Sequence, residues 1–198
     1  RQTQIWLEAE HPGLRGRTSV AFNGLAEAPV ATSRSIEAFR RSVGASDGDV
    51  VATLVGRFNH MKGQTLLVEA LRGLRDVGRL GRLRVALVGD VYAGHKDYRA
   101  QCAALIESVG LAERVTIMPF TNEIGPVWRG TDVAVVASTE PESFGMVAIE
   151  AMACSVPVVA AAHGGLLDIV DDEVTGLLFQ PRDARSEEHT SELQSPDH

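Results

Sequence analysis

Residues 50–77 read VVATLVGRFNHMKGQTLLVEALRGLRDV and combine a strand pattern, a short loop and a helix pattern. The first six residues are β-branched and apolar almost without interruption, as expected of a strand that is buried on both faces. From Lys62 to Val77 the apolar residues recur at helical spacing and form one stripe, with charged residues on the opposite side. A buried strand followed directly by an amphipathic helix is typical of one unit of a parallel α/β sheet.

The rest of the chain repeats this unit. Four further β-branched runs predict strands, at residues 83–88, 114–118, 133–137 and 156–160. Helical stripes lie between the runs, including one over residues 98–109. Strands and helices that alternate at this spacing predict a doubly wound α/β fold with a parallel sheet and right-handed crossovers.

The two ends of the chain differ from this repeat. Residues 1–48 hold one strand-like piece, TSVAFNG at 18–24, and one helix pattern, SIEAFRRSV at 35–43, and are interpreted as a connector that enters the domain. Residues 185–198, RSEEHTSELQSPDH, resemble the translation of a sequencing adapter. We therefore predict that this tail is non-native, against the alternative of a native acidic tail, and that the native C-terminal sequence is missing.

Composition and charge argue against several classes of protein. The 198 residues are 44% hydrophobic with a formal charge of -7, so they can form a core but offer no basic field for nucleic acid. Cys102 and Cys154 lie inside apolar helical patterns and are predicted to be core residues rather than a disulfide. The histidines are scattered singly, so no metal site is predicted. Glu150 and Pro157 interrupt the apolar run 144–162, which favours a soluble protein over a membrane span.

Ligands of open parallel sheets bind beyond the carboxyl ends of the strands. The loops predicted to gather there are GRFNHMKG (56–63), GDVYAGH (89–95), PFTNE (119–123), STEPESFG (138–145) and AAHGG (161–165). In the first loop, Arg57 and Lys62 can converge on one diphosphate, and the amides that open the following helix would assist them. The residues alone leave phosphate binding and an ordinary solvated basic loop equally open. Gly89 and Asp90 fit simple turn chemistry better than a ligand site.

The segment EPESFGMVAIE, residues 140–150, places one carboxylate in the middle of an apolar helix pattern. Ser143 or Thr139 can cap the helix that follows this loop. An unpaired buried carboxylate costs several kcal/mol. Glu150 is therefore expected to reach a basic side chain, to reach solvent, or to accept hydrogen bonds from ligand hydroxyl groups. A Glu on a narrow solvated stripe of the helix stays open as the simpler alternative.

Taken together, these residues resemble the C-terminal, donor-binding domain of the family 4 glycosyltransferases, which have the GT-B fold. The resemblance covers about residues 20–184 and follows these landmarks: FNG (22–24), GRFNHMKG (56–63), VGD (88–90), GLAERV (110–115), EPESFGMVAIEAMA (140–153), PVVA (157–160), GG (164–165) and TGLLF (175–179). It implies a Rossmann-like domain over 20–184, incomplete at its C-terminus, that forms one half of a GT-B architecture. Residues 1–19 would be a remnant of the N-terminal domain or an interdomain connector.

The resemblance also implies roles for individual residues. Arg57 and Lys62 would bind the donor diphosphate, Glu142 the donor sugar and Glu150 the ribose, whereas Glu140 has the wrong spacing for the sugar. The implied catalytic residues are Arg57, Lys62 and Glu142. The implied donor-binding residues are Gly56, Arg57, Lys62, Gly89, Asp90, Phe120, Asn122, Glu142, Phe144, Gly145, Met146, Val147 and Glu150. Asp168 stands where the family usually has Glu, and Ser155 where it often has Gly.

We therefore expect a retaining, metal-independent glycosyltransferase of hexosyl type that uses a nucleoside diphosphate sugar and no cofactor. Its acceptor would be a glycan, a lipid or a small molecule, and its role would be in glycan or polysaccharide biosynthesis. Without the acceptor-binding domain the fragment is expected to bind donor weakly and to transfer nothing. A cytoplasmic location is expected, with any peripheral membrane contact made through the missing N-terminal domain. A nucleotide-sugar 2-epimerase-like isomerase of the same fold and a non-catalytic nucleotide-sugar-binding module stay open as alternatives.

Overall fold

A computed structural model describes residues 2–91 and 96–181. The helices are α1 (Gln2–Glu10), α2 (Ser33–Ser42), α3 (Gln64–Asp76), α4 (Lys96–Ser108), α5 (Ile124–Arg129) and α6 (Met146–Ala153). The strands are β1 (Val50–Val55), β2 (Leu83–Val88), β3 (Val115–Met118), β4 (Val133–Val136), β5 (Val158–Ala161) and β6 (Gly176–Phe179). Short 3-10 turns lie at Pro12–Leu14, His60–Lys62 and Gly164–Asp168. Part of the loop after β2 and the whole predicted non-native tail, 185–198, lie outside the described residues.

The strands form one six-stranded parallel sheet in the order β3-β2-β1-β4-β5-β6. The chain first builds outward from β1 to β3, then returns to the other side of β1 with β4 and builds outward again. The order therefore reverses between β1 and β4, which is the topological switch point where doubly wound sheets bind ligands. This arrangement confirms the predicted α/β class and the parallel sheet.

The predicted strands are found within two residues of their expected bounds, but the ends of the domain were predicted less well. TSVAFNG, residues 18–24, forms neither helix nor strand, because its residues are mostly exposed and pair with no strand of the sheet. Three elements were not predicted: the helix α1, the edge strand β6 and, inside the domain, the short helix α5. The predicted helix at 35–43 is α2, which begins two residues earlier because Thr32 and Ser35 form a capping box.

The core consists of apolar layers on the two faces of the sheet. On one face, α3 and α4 pack Val68, Leu71 and Ile106 against β1 and β2. On the other face, α5 and α6 pack Trp128 and Ala148 against β4 and β5. Both cysteines are free and buried in these layers, as predicted, and burial raises the pKa of the Cys102 thiol to about 11.

The apolar run 144–162 is divided between α6 and β5, as its internal Glu150 and Pro157 suggested. None of the helices within residues 2–91 and 96–181 combines the length and the apolar character needed to cross a bilayer.

Side-chain hydrogen bonds reinforce the seam between β1 and β4, where the register pairs are Ala52 with Val133 and Thr53 with Ala134. The Thr131 hydroxyl donates to the carbonyl oxygen of Val127 at 2.8 Å, so the Thr53 hydroxyl, 2.6 Å away, donates to Thr131. These bonds join the two halves of the sheet in its buried centre.

A charged network fixes the amino end of the same seam. Asp132 accepts hydrogen bonds from the amide of Val51 at 2.7 Å and from Arg40 at 2.9 Å. Arg40 also donates to the carbonyl oxygens of Gly130 and Asp49. This one side chain of α2 therefore links the segments that lead into β1 and β4.

The loop after β1 is held against the loop after β4 by direct backbone contact. Gly63, in the left-handed conformation (φ +70°), separates the 3-10 turn from α3 and faces the carbonyl oxygen of Ala137 so closely that a Cβ would overlap it. Thr139 donates its amide to Met61 and its hydroxyl to His60, both at 2.9 Å. The consequence is that residues 60–63 and 137–139 form one clamped unit at the carboxyl edge of the sheet.

We predict that Gly63→Ala destabilises the fold by about 2 kcal/mol or more, because it adds both backbone strain and overlap with Ala137. Gly73→Ala, inside the helix α3 that follows Gly63, is the matched control, since no atom outside the local helix backbone lies within 4 Å of its added methyl group. We expect that control to stabilise the chain by about 0.5–1 kcal/mol. Urea unfolding of both variants measures these changes, and a Gly63→Ala chain as stable as wild type would contradict the clamp.

A second prediction concerns acid stability. The Ser46 amide donates to the Asp49 carboxylate at 2.9 Å and Arg82 donates to it at 3.0 Å; together they lower the pKa of Asp49 to about 2. Since this pKa lies below the unfolded value of about 3.9, the stabilisation is complete above pH 4 or so and is lost as the pH falls toward about 2. Asp49→Asn should lower the melting temperature at neutral pH and flatten its dependence on pH between about 4 and 2. Asp47→Asn, an exposed change in the same turn, is the control; equal pH dependence in wild type and Asp49→Asn would contradict the prediction.

Candidate functional site

Two adjoining cavities open at the carboxyl edge of the sheet, at the switch point between β1 and β4. The larger, of about 600 Å³, contains the predicted residues Gly56, Arg57, Gly89, Asp90, Phe120, Asn122, Val147 and Glu150 in its wall. The smaller, of about 220 Å³, contains Lys62, Glu142, Phe144, Gly145, Met146 and Val147. Val55 and Val147 line both cavities. The structure therefore brings every residue predicted for the donor site to one connected region.

Two glycines shape the wall of the larger cavity. A Cβ on Gly89 would overlap the carbonyl oxygen of Gly56, so the backbones after β1 and β2 touch only because residue 89 has no side chain. The amide of Phe58 donates to the carbonyl oxygen of Asp90 at 2.9 Å and locks the two loops together. The Asp90 carboxylate accepts from the amide of Val91 at 2.8 Å, which supports the turn role considered for Gly89 and Asp90. Phe120, with 62% of its surface exposed, forms an open apolar part of the rim.

Arg57 extends from the exposed side of the first loop toward the larger cavity. Gln64, which is fully buried at the start of α3, donates its side-chain amide to the carbonyl oxygen of Arg57 at 2.8 Å. Gln64 was not predicted as a site residue, because nothing in its sequence position distinguishes it from the rest of the helical stripe. It fixes the backbone from which Arg57 projects.

Glu150 is half-buried in the wall of the larger cavity. Its Oε2 atom accepts a hydrogen bond from the indole Nε1 of Trp128, at 3.3 Å. The sequence analysis considered a basic side chain, solvent and a ligand as partners of Glu150. It did not consider an aromatic N–H donor, which the neighbouring helix α5 supplies. The carboxylate therefore has one protein donor and still borders the open volume of the cavity.

The smaller cavity contains an ion pair. Lys62 Nζ and Glu142 Oε1 are in direct contact, with side chains only 22% and 16% exposed. The Ser138 hydroxyl donates to the same oxygen of Glu142 at 2.6 Å. Glu140 is exposed and lines neither cavity, in agreement with its spacing. The structure thus places a paired cation and carboxylate beside the start of α6.

Lys62 differs from its prediction in the element that carries it. It belongs to a 3-10 turn capped by Asn59 rather than to the first turn of α3, because Gly63 ends that turn in a left-handed conformation. It also lines the smaller cavity, whereas Arg57 lines the larger, so the two cations flank the junction at Val55. Their binding to one diphosphate stays a prediction.

The start of α6 was predicted to be capped by Ser143 or Thr139, and this prediction is wrong. Gly145 occupies the N-cap position with φ +104° and no side-chain cap, while the Thr139 hydroxyl donates to His60. Met146 and Val147, which line the smaller cavity, carry the first N–H groups of the helix, and these groups have no acceptor within it. Such amides carry the positive end of the helix dipole.

The glycines after β5 support the Glu142 loop. The amide of Gly165 donates to the carbonyl oxygen of Glu142 at 2.7 Å, and a Cβ on Gly164 would overlap the Glu142 backbone. Asn23, from the FNG landmark, reaches the smaller cavity, and Phe22 packs its ring 6.1 Å from that of Phe144. Within the described parts of the chain, no group of three or more His, Cys, Asp or Glu side chains is arranged to hold a metal ion.

Residues 35–192 match the family model described as Glycosyl transferases group 1. The D-inositol 3-phosphate glycosyltransferase of Actinosynnema mirum is 41% identical over 143 residues, which cover 70% of this chain and 34% of that protein. An uncharacterized glycosyltransferase of Methanocaldococcus jannaschii is 34% identical over 150 residues, which cover 75% and 36% of the two chains. The chain thus spans about a third of the length of these curated relatives. The matched range extends into 185–198, whose non-native origin stays a prediction.

Solved structures show the same architecture. Anabaena HepE in complex with UDP has a TM-score of 0.74 and 30% identity, over 89% of this chain and 47% of that one. The C-terminal domain of a group 1 glycosyl transferase from Francisella tularensis has a TM-score of 0.62 at 20% identity, a likeness of fold alone, over 87% and 84% of the chains. The chain therefore belongs to the group 1 glycosyl transferases, as the C-terminal, donor-binding type of domain of a GT-B glycosyltransferase.

Proposed function

We propose that this chain binds a nucleoside diphosphate sugar and acts as the donor half of a glycosyltransferase. The observation that carries the proposal is the pair of cavities joined at Val55 and Val147, one bordered by an arginine and two carboxylate residues, the other by a lysine and one carboxylate residue. A nucleotide sugar has the matching order of parts: a base, a ribose, an anionic diphosphate and a hydroxyl-rich ring.

The larger cavity suits the nucleoside. Glu150 would accept hydrogen bonds from the ribose hydroxyl groups while Trp128 holds its other side. Phe120 offers an exposed ring on which a base can stack, with Asn122 beside it. Arg57 would lie near the first phosphate, at the junction with the smaller cavity.

The smaller cavity suits the second phosphate and the sugar. Glu142 would accept from sugar hydroxyl groups, and the Lys62 ammonium and the amides of Met146 and Val147 would lie near the outer phosphate. Transfer of the sugar increases negative charge on the departing diphosphate, so cations and amides already in position stabilise the transition state more than the ground state. On this basis we propose catalysis without a metal ion, with Arg57, Lys62 and Glu142 as the principal residues.

Several finer expectations stay predictions. They are membership of family 4, retention of configuration, a hexosyl donor and a cytoplasmic location, with any membrane contact made by a further domain. We propose that transfer requires an acceptor-binding domain from a longer protein and that the present chain alone binds donor without transferring it. Because the HepE structures contain UDP or UDP-glucose and the Actinosynnema relative is named for D-inositol 3-phosphate, UDP is the first donor probe and a polyhydroxylated ring the first acceptor to test.

Arg57→Ala should weaken UDP binding at least tenfold, because a charge-assisted bond to phosphate contributes about 1.5–3 kcal/mol. Isothermal titration of the 198-residue chain with UDP and GDP measures the effect. Arg79→Ala, an exposed change after α3 at the opposite edge of the sheet, is the control and should leave the affinity within twofold. If neither nucleotide binds the wild-type chain, or if Arg57→Ala binds as well as the control, the proposed donor site is wrong.

A nucleotide that lacks one ribose hydroxyl tests Glu150. The wild-type chain should prefer UDP over 2′-deoxy-UDP by about tenfold, and Glu150→Gln should bring the two affinities within about threefold of each other, because the charged acceptor is lost. Asp90→Asn, in the same cavity but already satisfied by Val91, should keep the wild-type ratio. An unchanged ratio in Glu150→Gln would place the ribose elsewhere.

A further inference from the structure

A third cavity lies on the outer side of the Glu142 loop, between this loop and α1. Its volume is about 360 Å³ and its walls are formed by Thr3, Trp6, Pro141, Glu142, Ser143 and Gly164. Glu142 is the one residue of this set with a carboxylate, and it and Ser143 also line the smaller donor cavity. The third cavity and the proposed sugar site are therefore separated by the Glu142 loop alone.

Helix α1 carries the aromatic wall of this cavity. The helix lies against the 3-10 turn Gly164–Asp168, and the Thr3 hydroxyl donates to the carbonyl oxygen of Ser143 at 3.4 Å. Trp6 lines the cavity and remains 59% exposed, so indole surface is available at this wall. A sequence-based interpretation of residues 1–19 as a connector gave no role to this side chain.

The chemistry of the walls points to one class of ligand. A polyhydroxylated ring has C–H groups that pack on an indole surface, and hydroxyl groups that donate to carboxylate and carbonyl oxygens. Here Trp6 and the Glu142 loop line the same cavity, and its volume of about 360 Å³ is large enough to admit one such ring. An anionic ligand fits less well, because this wall contains a carboxylate and no cation.

We propose that this third cavity is an acceptor subsite that takes a sugar or cyclitol ring, stacked on Trp6 and oriented by the Glu142 loop. The proposal rests on the proposed function in one respect: it is the donor sugar on the other side of Glu142 that makes a ring held here an acceptor. Ring binding itself needs no nucleoside, since none of the wall residues lines the larger cavity.

The two tryptophans make the subsite directly measurable. Trp128 is fully buried and Trp6 is exposed, so iodide should quench the fluorescence of Trp6 selectively. On the 198-residue chain, with and without UDP, saturating myo-inositol should lower the quenching constant at least twofold. Mannitol, which has the same number of hydroxyl groups but no ring, should leave it unchanged.

Variants separate a binding role from simple exposure. Trp6→Ala should weaken myo-inositol binding, followed by ligand-observed NMR, at least tenfold. Ile5→Ala, a neighbour on α1 that is 62% exposed and does not line the cavity, should stay within twofold of wild type. Melting curves establish that both variants are folded.

The outcomes distinguish this proposal from the preceding one. Protection of Trp6 by myo-inositol in a chain that fails to bind UDP would support the subsite and count against the donor site. Absence of protection in a chain that binds UDP, equal protection by mannitol, or equal loss of binding in Trp6→Ala and Ile5→Ala would overturn the subsite.

Discussion

The contact between Gly63 and the carbonyl oxygen of Ala137 is the constraint on which the site depends. Parallel strands bring their carboxyl ends to one edge of the sheet, but they do not by themselves bring the loops of neighbouring strands into contact. A residue without a Cβ, in a left-handed conformation, allows the loop after β1 to lie directly on the end of β4. This close approach carries Lys62 to Glu142, which lies on a different loop.

Two carboxylates of the site, Glu142 and Glu150, accept hydrogen bonds from protein donors. Lys62 and Ser138 hold one oxygen of Glu142, and the Trp128 indole holds one oxygen of Glu150. Leaving such carboxylates buried without donors would cost several kcal/mol, so these contacts contribute to the stability of the site. They also orient the carboxylates in advance, which lowers the side-chain entropy that a ligand would otherwise have to remove.

The sequence predicted those features that depend on local pattern and failed where distant residues decide. Strands β1 and β2 are apolar at all but one position each because helices cover both of their faces, and this pattern is visible in one dimension. The edge strand β6 is short and leaves Leu177 exposed, so it lacks that pattern. Trp128 and Ser138 could not be assigned as partners of Glu150 and Glu142, because each pairing depends on how two separate elements pack. The prediction for the cap of α6 failed for the same reason. A Cβ at residue 145 would overlap the side chain of Leu166, which lies beyond β5, so glycine occupies the N-cap position.

The seam between β1 and β4 affects the stability of the domain as well as its topology. It is the joint between two successive building units of the sheet, and it relies on the hydroxyl groups of Thr53 and Thr131 and on the carboxylate of Asp132 in addition to its ladder. Both proposed donor cavities lie across its far end. A molecule bound there would touch β1 and the loops of β2 on one side and the β4 and α6 segment on the other. Ligand binding and the stability of the β1–β4 joint are therefore thermodynamically coupled. A bound ligand would raise the free energy needed to open the joint locally, and local opening would weaken ligand binding.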